Sequence, residues 1–238
     1  KGDKVLSARF GQFSHLWIEM CKKLHIDVEV VDAEWGSGTP HAEFEKILSE
    51  DNSHAIKAVL ITHNETSTGV TNDVKATRDL LDKLNHPALL FVDGVSSIGS
   101  IKFEMDVWGV DVAVSGSQKG FMLPAGLAIS CVSQKALERA KTSNLPRAYF
   151  DYHDMLKINE TGYWPYTNPM PLLRGLREAL TMMHEEGLVN IYARHLFLAQ
   201  AVQKASEAWG LKLCAKDPSL YSNTVTAIIV PDGIDSTD

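Results

Sequence analysis

Two charged residues stand where apolar runs end. Lys119 follows Val110-Asp111-Val112-Ala113-Val114 after the small polar residues Ser115-Gly116-Ser117-Gln118, and Gly120-Phe121 come next. Asp93 closes the run Ala88-Leu89-Leu90-Phe91-Val92. Short apolar runs of this kind read as buried strands. In an open α/β sheet the carboxyl ends of the strands form the edge where ligands bind, so both charges are expected at one such edge. A lysine there can form a Schiff base, and an aspartate can keep a pyridinium nitrogen protonated. Together these are the protein groups that pyridoxal phosphate needs. A lysine that reacts as an amine needs a lowered pKa, which desolvation or a nearby positive charge supplies. Each residue also has an ordinary reading: a lysine that only solvates the surface, and an aspartate that caps a turn or helix.

Other candidates lie upstream. Thr66-Ser67-Thr68-Gly69, inside His63-Asn64-Glu65-Thr66-Ser67-Thr68-Gly69-Val70, offers hydroxyls and backbone N–H groups that suit a phosphate or phenolate oxygen. A hydrogen-bonded turn is the simpler account. His63 is one of nine histidines and reads as structural. Phe13 opens a helix on its apolar face, where core packing is the default and stacking on a planar cofactor the alternative. Gly36-Ser37-Gly38 is too short for a phosphate loop. The chain contains no GxGxxG, GxxxxGK[ST] or GxSxG, so neither the nucleotide fingerprints nor the serine-hydrolase elbow competes.

The elements that must position these residues alternate. Strands are expected at 4–8, 27–31, 56–62, 88–92, 111–115 and 127–132. Helices are expected at 13–24, where Phe13, Leu16, Trp17, Met20 and Leu24 recur at helical spacing, at 41–50, at 73–84 with Asn72 as cap, and at 135–140 capped by Ser133. This alternation predicts an α/β fold with a mostly parallel sheet covered on both faces. Residues 149–166 are aromatic and polar. Helices at 172–186, closed by Gly187, and 189–209, closed by Gly210, follow, then strands at 211–214 and 224–230.

The 238 residues are 45% hydrophobic and 22% charged, with a net charge of -7. That composition is globular, and the negative balance argues against a nucleic-acid partner. Three widely spaced cysteines, Cys21, Cys131 and Cys214, without CxxC, read as free thiols and not as a metal site. No run of about 18 apolar residues suggests a membrane span. The opening Lys1-Gly2-Asp3 and the closing Asp235-Ser236-Thr237-Asp238, a helix cap without a helix, are expected of a fragment.

Three stretches together carry more than any one alone. His63-Asn64-Glu65-Thr66-Ser67-Thr68-Gly69, Val92-Asp93-Gly94-Val95-Ser96-Ser97 and Ser115-Gly116-Ser117-Gln118-Lys119-Gly120-Phe121 closely resemble the class V, fold-type I pyridoxal-phosphate aminotransferases. Among them the chain looks like the serine–glyoxylate group, with the alanine–glyoxylate group as near kin. The likeness extends to Gly162-Tyr163-Trp164-Pro165-Tyr166-Thr167 and Glu185-Glu186-Gly187-Leu188. It implies a large domain of seven-stranded type, here incomplete, over 1–186, and the start of a smaller α+β domain over 187–238. It implies transamination between a small amino acid, serine favoured, and glyoxylate, with alanine or another small donor as the alternative.

By the same resemblance Lys119 is the Schiff-base lysine and proton carrier. Asp93 pairs with the pyridine nitrogen, Val95 packs on the ring and Phe13 stacks on its other face. Thr66 bonds near the ring oxygen, and Gln118 reaches the phosphate. Thr167 and Trp164 touch the phosphate of a neighbouring subunit's cofactor, which implies a homodimer with shared active sites. Gln118 stands where cysteine desulfurases of this class carry histidine, so desulfuration is not expected. The family's phosphate loop precedes residue 1 and its carboxylate-binding arginine lies beyond residue 238; Arg174 and Arg177 do not match it. A non-catalytic dimerisation fragment is therefore the reading from another class. With no address signal, a cytoplasmic protein is expected, a peroxisomal one being the alternative.

Overall fold

β-branched and aliphatic runs build the centre of the molecule. The computed structural model describes residues 2–235. Strands β1 (Lys4–Arg9), β2 (Asp27–Asp32), β3 (Ile56–Thr62), β6 (Leu89–Asp93), β7 (Val112–Gly116) and β8 (Ala128–Val132) form one sheet in the order β2-β1-β3-β6-β7-β8. All neighbours pair in parallel except β7 and β8. The β7–β8 connection folds into the lysine turn and holds no crossover helix, which leaves only the antiparallel return.

Strand periodicity sorts side chains to two faces. Val59 and Ile61 of β3 join Leu6, Leu90, Val92 and Ala113 in one core, which α2 (His41–Glu50) and α3 (Val74–Lys83) cover with Phe44, Leu48 and Leu81. Ala58 and Leu60 face the other way, with Val5 and Leu89, toward Cys21 of α1 (Gln12–Lys23) and Ala136 of α4 (Gln134–Ala140). The expected α/β sheet is thus observed with six strands.

Several local expectations change. The buried stripe of α1 is Ser14, Ile18 and Cys21, whereas Phe13, Leu16, Met20 and Leu24 are 42–56% exposed. Asp73, not Asn72, caps α3, accepting from the Ala76 N–H. Asn72 instead accepts from Thr39 and donates to the Thr62 carbonyl. The 63–70 loop contains a small antiparallel pair, β4 (Asn64–Glu65) with β5 (Val70–Thr71). An additional helix, α5 (Tyr152–Asn159), lies in the aromatic stretch, capped by Asp151.

Helices α6 (Met170–Glu186) and α7 (Leu188–Ala208) meet at Gly187, whose φ of 80° favours glycine. The expected strand 224–230 shortens to β10 (Ile228–Ile229), antiparallel to β9 (Lys212–Leu213). Ser222 Oγ instead accepts the Thr224 and Val225 N–H groups, local bonds that compete with strand pairing, and the Thr224 hydroxyl donates to the distant Ser96 carbonyl. The cap expected at 235–238 lies almost wholly outside the described residues. Among those residues no helix is long and apolar enough to cross a membrane. Cys21, Cys131 and Cys214 are free thiols.

Candidate active site

The sheet register brings the sequence candidates to one edge. Thr62 is level with Asp93, and Asp93 with Val114. Beyond these rungs the chain leaves β3 into the 63–69 loop, β6 into the 94–100 loop and β7 into the Lys119 turn. Two further backbone bonds extend the ladder, His63 N–H to the Asp93 carbonyl and Gly94 N–H to the Val114 carbonyl, each 2.9 Å. The loops therefore start from a rigid base.

Asp93 sits half-buried in the middle. Its Oδ1 accepts the Val95 N–H at 2.9 Å. Burial pushes its carboxyl above the usual range; the Val95 bond opposes this and the neighbouring Glu65 adds to it. A carboxylate so placed gains from a cationic partner, because the desolvation that disfavours its charge also strengthens its pairing.

Thr66 is tied to the Asp93 loop. Its hydroxyl donates to Ser96 Oγ at 2.8 Å, and Ser96 Oγ donates to the Asn64 carbonyl at 2.9 Å. The Asn64 amide donates to both Ser96 Oγ and Thr224 Oγ1, and Thr224 Oγ1 donates to the Ser96 carbonyl. The segment after α7 thus closes one side of the site.

The lysine turn is held from beneath. Buried Ser117 donates to the Pro124 carbonyl at 2.7 Å and accepts the Leu127 N–H at 3.1 Å. Met122, whose N–H donates to the Lys119 carbonyl, has a φ of 59°. That left-handed geometry costs an unbranched residue about 1 kcal/mol and accompanies many functional turns. Gln118 and Lys119 are exposed. The Gln118 amide folds back to within 2.7 Å of where a Cβ on Gly116 would stand, so that glycine makes its room. Among the described residues no hydrogen bond or ion pair engages the Lys119 amine. Lys119 and Met122 also border a cavity of about 640 Å³ against Met183, Ile191 and Arg194.

Two expected residues lie apart. Trp164 is 58% exposed and Thr167 is exposed. Their segment is tied to residues 148–149 by the Tyr166 hydroxyl and a Tyr149–Tyr166 ring stack. Among the described residues no hydrogen bond or ring contact joins them to Asp93, Gln118 or Lys119 of the same chain. Phe13 is on the first turn of α1, half exposed, so core packing is not its role; Phe10, just before that turn, is the buried aromatic.

Two further residues shape the site: His63, which the sequence reads as structural, and Glu65, to which it assigns no role. His63, fully buried, bonds Ser97 Oγ through Nδ1 at 2.8 Å and packs against Phe103 and Trp108. Glu65, also fully buried, binds the first turn of α1. Nothing in the sequence around Glu65 marks it, since its partners are 51 and 52 residues away.

Known proteins resemble this chain in sequence and fold. The family model described as aminotransferase class-V matches residues 1–238. A serine–glyoxylate aminotransferase of Methylorubrum extorquens is 57% identical over 99% of the chain and 60% of its own length. An L-aspartate–glyoxylate aminotransferase of Paracoccus denitrificans is 55% identical over 99% of the chain and 59% of its own length. The crystal structure of an alanine–glyoxylate aminotransferase from Nostoc sp. superposes with a TM-score of 0.90 at 29% identity, covering 99% of the chain and 62% of that protein. The chain spans about 60% of the length of the curated relatives it matches.

Proposed function

Since the chain belongs to the class-V aminotransferases, a pyridoxal-phosphate family, we propose that this protein moves an amino group from a small amino acid, serine favoured, to glyoxylate, giving hydroxypyruvate and glycine. The observation that carries the reading is the shared strand edge. Thr62, Asp93 and Val114 are level on three adjacent strands, Thr66 and Lys119 follow in the loops that leave the outer two, and serine–glyoxylate relatives match nearly the whole chain at 57% identity.

The residues present fit the cofactor. Asp93 has one oxygen engaged by Val95 and a carboxyl destabilised by burial, which suits a protonated pyridine nitrogen. The Thr66 hydroxyl donates to Ser96 here and, by rotating about its C–O bond, would turn that proton toward a ring oxygen. The Lys119 amine has no competing partner among the described residues. When bound, pyridoxal phosphate supplies the electron sink for charge left at the substrate Cα. Lys119 Nζ would hold and move the proton at the substrate Cα. Asp93 would hold the proton on the ring nitrogen, and Val95 and Phe13 would bound the ring. Thr66 would orient the ring oxygen, and Gln118 would serve the phosphate. The Paracoccus relative supports aspartate as a second donor to test, beside alanine.

The same reading assigns 1–186 to a large domain and 187–238 to the start of a smaller one. It sends Trp164 and Thr167 to the cofactor of a second subunit; their exposure and, among the described residues, the lack of a hydrogen bond or ring contact to Asp93, Gln118 or Lys119 of their own chain support this. The test is reduction with borohydride after incubation with pyridoxal phosphate, followed by peptide mass mapping. A mass gain confined to Lys119 is expected. Label spread over surface lysines, with Lys119 unmodified, would overturn the assignment.

A further inference from the structure

Helix α1 opens without a cap of its own. Gly11 stands at its N-cap and contributes no side-chain bond, yet the first-turn N–H groups need acceptors. All come from the 65–67 turn. Ser67 Oγ accepts the Gln12 N–H at 2.9 Å, Glu65 Oε1 the Phe13 N–H at 3.2 Å, and Glu65 Oε2 the Ser14 N–H at 2.9 Å. Glu65 Oε1 also accepts the Ser67 N–H and hydroxyl. The carboxylate is wholly buried, and a Cβ on Gly11 would lie 2.3 Å from its side-chain carbons. A buried carboxylate without a cationic side chain beside it survives only when fixed donors replace water, and a helix N-terminus offers both donors and a favourable dipole.

This clamp joins two walls of the site. Glu65 is the residue before Thr66, and its charge is felt at Asp93. We propose that Glu65 is a positioning residue: by holding the first turn of α1, with Phe13 on it, against the Thr66 turn, it sets the distance between these walls across which the cofactor ring fits. The proposal rests on the aminotransferase reading for its ligand and on the hydrogen-bond pattern for its geometry. Glutamine at this position keeps the shape but offers one acceptor oxygen in place of two, so at least one of the Phe13 and Ser14 amides loses its partner.

The experiment compares the wild-type protein with Glu65→Gln, and with Ser67→Ala as the milder variant should Glu65→Gln not fold. Hydrogen exchange at Gln12, Phe13 and Ser14 is followed without and with pyridoxal phosphate, together with the circular dichroism of the bound cofactor and kcat and KM for the amino donor. Exchange at these amides is expected to quicken at least tenfold while the rest of α1 changes little. The cofactor dichroism should shrink or shift, and kcat should fall more than KM rises. Exchange that is unchanged, or quickened equally along the whole chain, would overturn the clamp. Quickened exchange with unaltered dichroism and unaltered kcat would overturn the positioning role. A wild-type protein with no label on Lys119 would count against the aminotransferase reading alone, because exchange is measured without cofactor.

Discussion

Gly120 lies against Ile98 so closely that a Cβ added to it would stand 2.3 Å from the Ile98 carbonyl oxygen. The same Cβ would be 3.0 Å from the Cα of Gly99. This contact locks the turn that carries Lys119 onto the loop that follows Asp93. Both obstacles are backbone and cannot rotate away.

Gly120→Ala is therefore expected to push the two loops apart. The penalty for forcing a methyl group into a filled space is typically about 1–3 kcal/mol. Activity should fall further than stability does, because a misplaced amine loses proximity to its substrate. Urea unfolding and steady-state kinetics on the same variant check this; wild-type turnover would refute the locking role.

Lys119→Ala should separate chemistry from folding more completely. The side chain is exposed, and exposed substitutions usually change stability by less than about 0.5 kcal/mol. Transamination should vanish while the melting temperature stays near that of the parent. Retained turnover would remove Lys119 from its role.

Asp93→Asn tests the buried carboxylate. Loss of the charge should slow proton abstraction by roughly 100-fold, the scale on which one preorganised group counts in a water-poor site, and weaken cofactor binding less. Burial raises the carboxyl pKa in the protein without cofactor, while pairing with a pyridinium needs it ionised. Cofactor affinity should thus fall as pH drops through that raised pKa, and the fall should be absent in Asp93→Asn. The stability of the cofactor-free protein has the reverse sign: the raised pKa stabilises at low pH, and that contribution is lost as pH rises. Titrations of binding and of unfolding across acidic pH decide both.

Much of this site was legible in the chain because strand ends are a property of local sequence. The apolar runs before Asp93 and Lys119 predict both the strands and the edge where the charges emerge, and the register of Asp93 with Val114 agrees. Helix α1 shows where local reading stops. Its Phe13, Leu16, Met20 and Leu24 have the spacing of a buried face yet stand exposed, while Ser14, Ile18 and Cys21 turn inward. Spacing defines a stripe but not the surface it meets. Glu65 was illegible for a related reason: what makes it special is a helix terminus folded against it from far along the chain, and a lone glutamate in a polar loop carries no trace of that contact.

His63 gives a prediction in the opposite pH direction from Asp93. It is buried under the strand edge, bonded to Ser97 and packed in an edge-on contact with Trp108. Burial lowers its pKa to about 4 from an ordinary 6.5, with Asp73 opposing this only weakly. Between those two values the unfolded chain binds a proton that the folded protein refuses, so stability rises with pH across the window and is lost as pH falls through it. A tenfold difference in proton affinity is worth about 1.36 kcal/mol, so the full effect across the window is about 3 kcal/mol. His63→Gln removes the titration while keeping a polar side chain for Ser97. Its absolute stability should be lower at pH 7, since the aromatic packing is lost. Its slope of unfolding free energy between pH 6.5 and 4 should nevertheless be flatter than the parent's. His86 and His41, whose pKa values burial also lowers, contribute to the parent slope and remain in the variant, so their contribution cancels in the comparison. Equal slopes for the two proteins would mean that His63 accepts its proton in the folded state and that the pocket beneath Asp93 is wetter than its packing indicates.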